Sequence, residues 1–551
     1  MNQDSPRKNR NFTIWVPLLF SLVLVAGMII GMRIQSAAPP MTVIKSDDLA
    51  GGGVLGAGKI EELIRYIEAK YVDSVDREKL VNEAIDHLLE QLDPHSTYLT
   101  AEQLQEVSEQ LDGNFEGIGI EFMILDDTIR VISPLSGGPS EAVGILPGDR
   151  IVEIEDSIVA GVQIDTDQIM EKLRGNKGTE VEVGILRGHE QKVRHFTITR
   201  DRIPVHSVDV AYMLDEKTGY VKISRFSATT STEFLEAIGP LVENHSMQDL
   251  VIDLRQNPGG YLREATDVLS QLFRERDKLL VYTEGNSVNR QEYKTTGRAL
   301  YNIKDLAILI DEGSASASEI LAGAIQDQDR GVIIGRRSFG KGLVQEQYRL
   351  RDGSAIRLTV ARYYIPSNRS IQKNYEDRTA YSHDVLDRYE SGELYSRDSI
   401  HLSDTTTYLT ASGRKVFGGG GIIPDVFVPL DTSYLNDAFF HLRPLIPSYV
   451  FRYYEDHRAD LAGYDLASFR RGYQADERFW QNFLAFANDG SADYPASELA
   501  TAKPRLLHLL KARLAKHLFE DVGYYTVLND RDEDVQKAIE MLHLPNPLTE
   551  N

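Results

Sequence analysis

The chain has 551 residues, more than one hydrophobic core usually fills, so we expect about two to four domains. Its composition of 42% apolar and 26% charged residues is typical of a folded protein and excludes global disorder. A formal net charge of −23 argues against a nucleic-acid partner, because phosphate backbones are bound by basic surfaces. The absence of cysteine excludes disulfides, thiolate metal sites and a cysteine nucleophile.

An apolar segment near the N-terminus predicts a membrane anchor. Thr13–Met32 carries no charge and is long enough to cross the hydrocarbon core of a bilayer as a helix. Arg7, Lys8 and Arg10 precede it, which predicts a cytoplasmic N-terminal tail and an exported body. The competing interpretation is a cleaved signal peptide, since small residues at Gln35–Ala38 could form a cleavage site. Both interpretations place the body of the chain in the periplasm or cell envelope.

Composition and hydrophobic periodicity predict several regions in chain order. These are the tail and anchor (1–36), a Gly/Ala/Pro-rich linker (37–58), a helical region broken at Asp93-Pro94 (59–111), a β-rich region (112–200), a mixed α/β core (201–430) and a helical extension (431–551). Residues 373–404 interrupt the core as a polar insertion, for which we expect a solvated surface loop. No chemistry is expected of the C-terminal extension.

Strands and helices alternate in the predicted core. Strands are expected at Tyr220–Ile223, Leu250–Leu254, Ala307–Ile310, Gly331–Ile334 and Ile356–Tyr364. Helices are expected near Ser231–Val242, Arg263–Phe273 and Ser318–Gln326, and one helix near Thr166–Leu173 interrupts the β-rich region. In the extension, Lys503–Phe519 and Asp532–Leu544 are the clearest amphipathic stretches.

Two glycine motifs resemble nucleotide sites but lack the context that such sites require. Gly51-x-Gly53-x-x-Gly56 follows no strand, so we interpret it as part of a flexible linker. Gly335-x4-Gly340-Lys341 nearly matches a P-loop, but Gly342 occupies the position of the magnesium-binding hydroxyl. The residues that follow alternate like a strand, whereas a P-loop must open a helix.

Lys341 also takes part in two possible serine–lysine pairs. Ser338-x-x-Lys341 matches the pair of penicillin-binding enzymes, but flanking glycines disfavour the helix that this motif needs. The other partner is Ser316, in a run of small residues that predicts a turn into a helix. A desolvated, neutral lysine can take the proton of a serine hydroxyl and so activate it as a nucleophile. The alternative is that the serines only cap a helix and the lysine is solvated.

Neighbouring residues fit the second pair. Gly259 and Gly260 follow a buried-looking strand and allow a backbone N–H to approach a reacting carbonyl closely. With the N–H of Ala317 they could form an oxyanion hole. Gln345 lies four residues after Lys341, and even spacing on a strand places both on one face, where the amide could orient the amine.

Several motifs, in this order, resemble those of the carboxyl-terminal processing peptidases, the tail-specific serine proteases with a Ser/Lys dyad. They are DPHSTYL (93–99), DLRQNPGG (253–260), SASASEI (314–320), FGKG (339–342) with Gln345, TVARYYIPSNRSIQ (359–372) and GGIIPDV (420–426). The resemblance covers about residues 55–430 and departs from the usual pattern at Asn368, where many members have glycine. It implies Ser316 as nucleophile, Lys341 as base and Gln345 as its orienting amide. It also implies a multidomain α+β protein whose protease core is ClpP/crotonase-like, with an inserted PDZ domain, N-terminal helices and a helical C-terminal extension.

The β-rich region resembles a PDZ domain at Gly117-Ile118-Gly119-Ile120 and again at GILPGDRI (144–151). In such a domain the glycine loop exposes N–H groups that bind a chain-terminal carboxylate, and a sheet edge pairs with the peptide. A hairpin glycine pair is the plain structural alternative. In relatives the PDZ domain gates the active site, and an arginine in it reports on substrate. Its closest match here is Arg174, although a solvated arginine after a helix explains the residue equally well.

The thirteen histidines offer no rival base and no metal pattern such as HExxH, so we expect no metal and no cofactor. The sequence therefore predicts a membrane-tethered, exported serine endopeptidase that cuts proteins near unstructured, apolar C-terminal tails. The alternative class is a non-catalytic PDZ-bearing scaffold on a protease-like fold. The substrate's identity, and whether the protein forms a homo-oligomer or needs an adaptor protein, stay open.

Overall fold

The structure is a computed structural model that describes residues 54–188, 190–401, 405–487, 494–545 and 548. The predicted anchor, Thr13–Met32, and most of the predicted linker lie outside these residues. Within the described ranges, no helix is both long and apolar enough to cross a membrane. The chain divides into two compact units, Met1–Ile85 and Asp86–Asn551.

The described part of the first unit is helical. Helix α1 is Val54–Lys70, and α2, Arg77–Glu90, continues past the end of the unit. Helix α1 thus begins inside the stretch predicted as a linker, whose last residues are helical rather than extended. At the start of α2, Arg77 pairs with Glu61 at 3.1 Å and with Glu68 at 2.6 Å.

The protease core is built on a six-stranded sheet with the order β10-β11-β12-β15-β16-β21. All neighbours are parallel except β10 and β11, and the sheet alternates with helices as the sequence predicts. Its strands are β10 Val208–Met213, β11 Thr218–Ile223, β12 Asp249–Asp253, β15 Leu306–Ile310, β16 Val332–Gly335 and β21 Val426–Phe427. Its helices are α6 Thr230–His245, α7 Leu262–Leu272 and α8 Ala317–Asp327.

Both faces of this sheet are covered, which explains why its strands are continuous apolar runs. Alternate strand residues such as Ile252 and Ile308 face one core, which they share with α6, α7 and α8. The intervening residues, such as Val251 and Leu309, face a second core that includes residues of α15, Glu533–Leu542, at the end of the C-terminal extension. The extension is therefore an integral layer of the protease core.

A second sheet lies beside the first and supports the loop that contains Lys341. Strand β18 pairs with β1, β13 and β17, and β14 pairs with β13 at the edge. The strands are β1 Thr97–Leu99, β13 Arg276–Glu284, β14 Gln291–Thr296, β17 Leu343–Arg349 and β18 Ala355–Tyr364. Helix α3, Ala101–Asp112, follows β1 and starts with a capping box in which Thr100 and Gln103 bind each other's backbone amides.

The region predicted as a PDZ domain forms a five-strand path, β3-β4-β5-β7-β8, with β6 paired to β5. The elements are β3 Ile120–Ile124, β4 Ile129–Pro134, α4 Pro139–Ala142, β5 Arg150–Ile154, β6 Ser157–Ile158, α5 Thr166–Leu173, β7 Glu180–Leu186 and β8 Arg194–Thr199. Helix α5 has the predicted bounds. Strands β2, Asn114–Gly117, and β9, Asp201–Pro204, pair where the chain enters and leaves the domain.

The polar insertion is not the solvated loop that its composition predicts. Residues Arg378–Glu390 form helix α9, in which Tyr381 and Arg388 are buried. A short 3₁₀ turn at Arg397–Ser399 and the hairpin of β19, Thr407–Leu409, and β20, Lys415–Phe417, lead back to the core. The prediction failed because the charges of the insertion are matched by partners in the protease core, which sequence periodicity does not reveal.

The extension has an apolar core of its own, rich in aromatic residues such as Phe469 and Phe483. Its remaining helices are α10 Asp437–Leu442, α11 Ile446–Leu461, α12 Leu466–Gly472, α13 Glu477–Ala487 and α14 Ala496–Asn529, with a 3₁₀ turn at Arg443–Leu445. It also contacts the PDZ-like region, because Arg452 pairs with Asp126 at 2.8 Å.

Candidate active site

Ser316 lies at the start of α8 in a strained turn. Its backbone has φ 55° and ψ −114°, a conformation normally reserved for glycine, which costs other residues about 1–3 kcal/mol. The surrounding hydrogen bonds hold it there: its N–H donates to Glu319 Oε2 at 2.8 Å, and its carbonyl accepts from the Tyr363 hydroxyl at 3.1 Å. This turn directs Ser316 into a groove at the carboxyl end of the central sheet.

The structure distinguishes the three serines of the SASASE run. Ser314 and Ser318 are fully buried, and their hydroxyls donate to the carbonyls of Leu254 at 2.8 Å and Asn257 at 3.0 Å. Ser316 is partly exposed and lines the groove. The flanking serines therefore fasten the turn to the neighbouring loop, and only Ser316 is free to meet a ligand.

Lys341 lines the same groove and is partly buried. Its Nζ donates to Gln345 Oε1 at 2.9 Å, and the Gln345 amide in turn donates to the carbonyl of His95. Burial lowers the pKa of Lys341, and the positive charge of Arg357 lowers it further. The neutral form of Lys341 is therefore favoured more than that of an ordinary lysine.

The groove has a volume of about 1550 Å³. Its walls come from α3, the loop before α7, the edge strand β14 and strand β17. Ser316, Lys341, Gln345, Gly259 and Gly260, five of the residues predicted for the site, all line it. No hydrogen bond joins the Ser316 hydroxyl to Lys341 Nζ in this structure; the lysine donates to Gln345 instead.

Glu319 connects the serine turn to the lysine loop, a role that we did not predict. Oε2 accepts the N–H groups of Ser316 and Lys341, both at 2.8 Å. Oε1 accepts the Ser338 hydroxyl at 2.5 Å and the N–H of Gly340 at 2.7 Å. Burial raises the pKa of Glu319 to about 7, opposed by these four donors. The only sequence signal was its place three residues after Ser316, where a carboxylate can reach back to the cap amide.

Tyr363 is a second link between the two loops. Its ring is buried, and its hydroxyl donates to the carbonyls of both Ser316 and Lys341. It lies on β18, the long strand that also pairs with β17 next to Lys341. The relative position of the two residues is thus fixed through their backbones, independently of any bond between their side chains.

Two backbone amides are free to stabilise an oxyanion near Ser316. The N–H groups of Ala317 and Gly260 have no acceptor among the described residues, whereas the N–H of Gly259 donates to Asn257 Oδ1 at 2.9 Å. A Cβ at Gly259 would lie 2.8 Å from Ser316 Cβ and 2.9 Å from Ala317 N. Glycine at 259 therefore keeps the space in front of the serine open, and Gly260 is the better donor of the two predicted glycines.

The loop with these glycines is anchored by a buried charge network. Arg255 forms ion pairs with Asp253 at 2.6 Å and with Asp532 and Asp534 of the C-terminal extension, both at 2.9 Å. Burial alone would raise the pKa of Asp253, but the charges of Arg255 and Lys222 outweigh it and lower the pKa. The extension, in which we expected no chemistry, thus provides two of the three carboxylates that hold the glycine loop.

The polar insertion packs against the loop that contains Lys341. Buried Arg388 donates to the carbonyls of residues 337, 338 and 339, at 3.2, 2.9 and 3.3 Å. Glu393 binds Arg337 through two hydrogen bonds of 2.7 and 2.8 Å. The hydroxyl of Tyr381 lies 2.6 Å from Nε2 of His95, whose carbonyl holds Gln345. The insertion therefore stabilises the loop before Lys341 and holds His95, whose carbonyl binds Gln345.

The histidines give no alternative base in this groove. His95 is the nearest, but burial lowers its pKa to about 4, as does the charge of Lys341, so its ring is neutral and tied to Tyr381. Within the described ranges, no group of three or more acidic or histidine side chains is arranged to hold a metal ion.

The predicted carboxylate-binding loop lies between β2 and β3. The amides of Ile118 and Gly119 have no acceptor among the described residues, and Ile120 begins β3, the edge strand of its sheet. Gly119 has φ 70°. Arg174 lies beside the start of this loop, where a Cβ at Gly117 would be 3.7 Å from Arg174 Cα. It ends α5, its side chain donates to Glu109 of α3 at 3.3 Å, and its guanidinium stacks over Phe115. It thus links the PDZ-like region to α3, whose residues Val107, Ser108, Gln110 and Leu111, on either side of Glu109, form part of the groove wall.

Family comparisons match each part of this architecture. A PDZ domain family matches residues 117–198, and the family of activating protease CtpB N-terminal domains matches residues 24–103. Peptidase family S41 matches residues 217–379, which include Ser316, Lys341 and Gln345. A family of unknown function matches residues 442–520 of the extension.

Individual relatives agree with these assignments. The carboxy-terminal processing protease CtpB of Bacillus subtilis is 36% identical over 319 residues, which cover 57% of this chain and 65% of that protein. The carboxy-terminal-processing protease of Bartonella bacilliformis is 33% identical over 392 residues, which cover 69% of this chain and 87% of that protein. The chain belongs to the carboxy-terminal-processing proteases of peptidase family S41.

A solved structure of a photosystem II D1 C-terminal processing protease is 30% identical over 57% of this chain and 84% of that chain, with a TM-score of 0.32. The resemblance and the multidomain α+β fold inferred from the motifs are confirmed. The chain is accordingly a member of a serine peptidase family that carries a PDZ domain.

Proposed function

We propose that this S41 protease is an endopeptidase that cleaves proteins near their C-termini with Ser316 as nucleophile and Lys341 as general base. The observation that carries the proposal is the turn of Ser316, which faces the groove of Lys341 and is joined to the lysine loop by Glu319. Strain at a groove-lining residue, held in place by specific hydrogen bonds, is typical of catalytic sites.

The proposed reaction uses Ser316, Lys341, Gln345 and two backbone amides. Neutral Lys341 takes the proton of Ser316, and the hydroxyl oxygen attacks the scissile carbonyl. The developing oxyanion accepts hydrogen bonds from the N–H groups of Ala317 and Gly260. Lys341 then protonates the leaving amine, and water, deprotonated by the same lysine, releases the acyl group from Ser316. Gln345 accepts a hydrogen bond from Nζ and orients the amine throughout.

The PDZ domain supplies the proposed selection of substrates. The free amides of Ile118 and Gly119 are available to a terminal carboxylate, and the open edge of β3 is available to an extended tail. The link from Arg174 to the groove wall at α3 supports a role for this arginine in reporting tail binding to the active site. The predicted anchor would hold these domains on the exported side of a membrane.

The proposal is tested with purified full-length chain and an unfolded protein that ends in an apolar tail. We expect cleavage near the C-terminus, and a fall of at least about tenfold when two terminal residues are replaced by aspartate or the terminus is amidated. Mass spectrometry of the products locates the cut. A tail that binds without being cut would instead support the non-catalytic scaffold.

The pH dependence of kcat/KM provides a separate prediction. Lys341 must be neutral to act as a base, so kcat/KM should rise with pH below the pKa of Lys341 and level off above it. Because burial and the charge of Arg357 lower this pKa, the rise should be complete below the ordinary lysine value of 10.5.

Protonation of Glu319 should also lower kcat/KM at acid pH. Its pKa is about 7, and its ionised form is the one that accepts hydrogen bonds from four donors. The logarithm of kcat/KM should therefore rise with a slope of two below both pKa values and a slope of one between them. An activity that is constant or falls as the pH increases from 5 to 9 would contradict a lysine base.

A further inference from the structure

Arg357 is one of two groove arginines, with Arg225, whose side chains have no partner among the described residues. Arg357 lies on β18, is partly buried, and lines the groove together with Ser316 and Lys341. Among the described residues its guanidinium has neither a hydrogen bond nor an ion pair, and burial lowers its pKa. An unpaired, partly desolvated charge destabilises a fold, so its presence in a cavity requires an explanation.

Other buried arginines of the core do not share this property. Six form an ion pair with a carboxylate: Arg255, Arg336, Arg337, Arg369, Arg388 and Arg414. Arg330 has no ion pair, but its guanidinium donates to the carbonyls of Leu272, Ile303 and Lys304. Two further cations of the groove are also paired, Arg263 with Asp267 at 3.6 Å and Lys294 with Glu292 at 2.7 Å. Arg225 also lines the groove and has no ion pair among the described residues.

The position of Arg357 places its charge close to the site of reaction. Thr359, two residues after Arg357 on β18, pairs with Gln345. Gln345 accepts the hydrogen bond from Lys341 Nζ. Alternate residues of a strand share a face and are about 7 Å apart, so Arg357 lies on the face of Gln345, one step along the groove. Its charge also acts on Tyr261, which follows Gly260 on the opposite wall.

We propose that Arg357 is a specificity-determining residue that binds a carboxylate of the substrate two or three residues from the scissile bond. The inference rests on the proposed protease function and adds the class of substrate: a polypeptide with an acidic group beside its cleavage site. A guanidinium meets a carboxylate in a bidentate geometry that no neutral side chain reproduces. The acidic group has two sources, an Asp or Glu side chain or the α-carboxylate of the chain end.

The test uses fluorogenic peptides with a common apolar tail. A single glutamate or its neutral counterpart glutamine is placed at each of the three positions on either side of the scissile bond, and each peptide is made with a free and with an amidated terminus. For the wild type we expect one position at which glutamate raises kcat/KM by roughly 10- to 100-fold over glutamine. A preference for the free terminus that Arg357→Gln abolishes identifies the α-carboxylate as the ligand, whereas a free-terminus preference that this variant keeps belongs to the PDZ domain.

Three variants decide the assignment. Arg357→Gln should abolish the preference, whereas Arg362→Gln should keep it, because Arg362 is an exposed arginine of the same strand that binds Tyr375 outside the groove. Arg225→Gln should also keep it. Loss of Arg357 raises the pKa of Lys341 and shifts the pH profile to higher pH. This shift is the same for the glutamate and the glutamine peptide, so it cancels in the ratio of their kcat/KM values. A change in that ratio therefore reports substrate binding. A preference that persists in Arg357→Gln, or that only Arg225→Gln removes, overturns the inference.

Binding to the Ser316→Ala protein, measured by fluorescence anisotropy, separates this inference from the protease proposal. Tighter binding of the glutamate peptide that depends on Arg357, with no cleavage by the wild type, would contradict the protease and support the carboxylate site. Cleavage by the wild type without any glutamate preference at the six positions, and with a free-terminus preference that Arg357→Gln leaves unchanged, would contradict the carboxylate site and support the protease.

Discussion

Ser316→Ala and Lys341→Ala are each expected to lower kcat by about 10⁴-fold or more while the protein stays folded. The first change removes the attacking oxygen, and the second removes the proposed general base, which lines the groove together with Ser316. Because the two groups act in one proton transfer, the double variant should be no less active than either single variant. Steady-state cleavage of the tail peptide and thermal unfolding check both statements.

The matched control is Ser314→Ala, two residues from the proposed nucleophile. Its hydroxyl donates to the carbonyl of Leu254 and is buried, so its loss should destabilise the protein by about 1 kcal/mol and leave turnover of the folded protein largely intact. Near-normal turnover in Lys341→Ala would exclude this lysine as the base. Normal turnover in Ser316→Ala would exclude the whole mechanism.

Glu319→Gln is expected to lower kcat by about 100-fold or more with little change in KM. The new NH₂ group would face two of the four donors that the carboxylate now accepts, and the serine turn and the lysine loop would separate. Displacements of about 1 Å between reacting groups are enough for an effect of this size. Leaving two buried donors unsatisfied should also lower the free energy of unfolding by about 2–6 kcal/mol.

Glu233→Gln serves to separate the two effects. Glu233 also accepts four donors, from residues 207, 208 and 229, but it lies on α6 and does not line the groove. We expect a comparable loss of stability and normal kcat for the folded fraction, quantified by active-site titration. If Glu319→Gln lowers stability but keeps kcat, Glu319 supports the fold and does not position the dyad.

Much of the protease core could be predicted because its signals are local. The parallel strands are short apolar runs buried on both faces, and the intervening helices have apolar residues at helical spacing, so periodicity alone located both. Glycines 259 and 260 were identified for the same kind of reason, since only glycine allows the backbone to approach Ser316 and Phe226 so closely.

The insertion and the extension could not be predicted in this way, because their roles depend on partners far away in sequence. Arg388 reads as a solvated charge until the carbonyls of residues 337–339 surround it. Asp532 and Asp534 read as a helix cap until Arg255, more than 270 residues earlier in the chain, lies between them. Polar composition predicts exposure only where no complementary group is buried alongside.

The sequence by itself determined the family, the order of domains and the pair Ser316 and Lys341 as candidates, since these follow from residue types at fixed spacings. Tertiary structure alone decided which residues hold that pair in place. Glu319, Tyr363 and the buried arginines act through hydrogen bonds whose strength depends on position and burial. Whether the charge of Arg357 is paired also depends on tertiary structure, because folding decides which groups lie near its guanidinium.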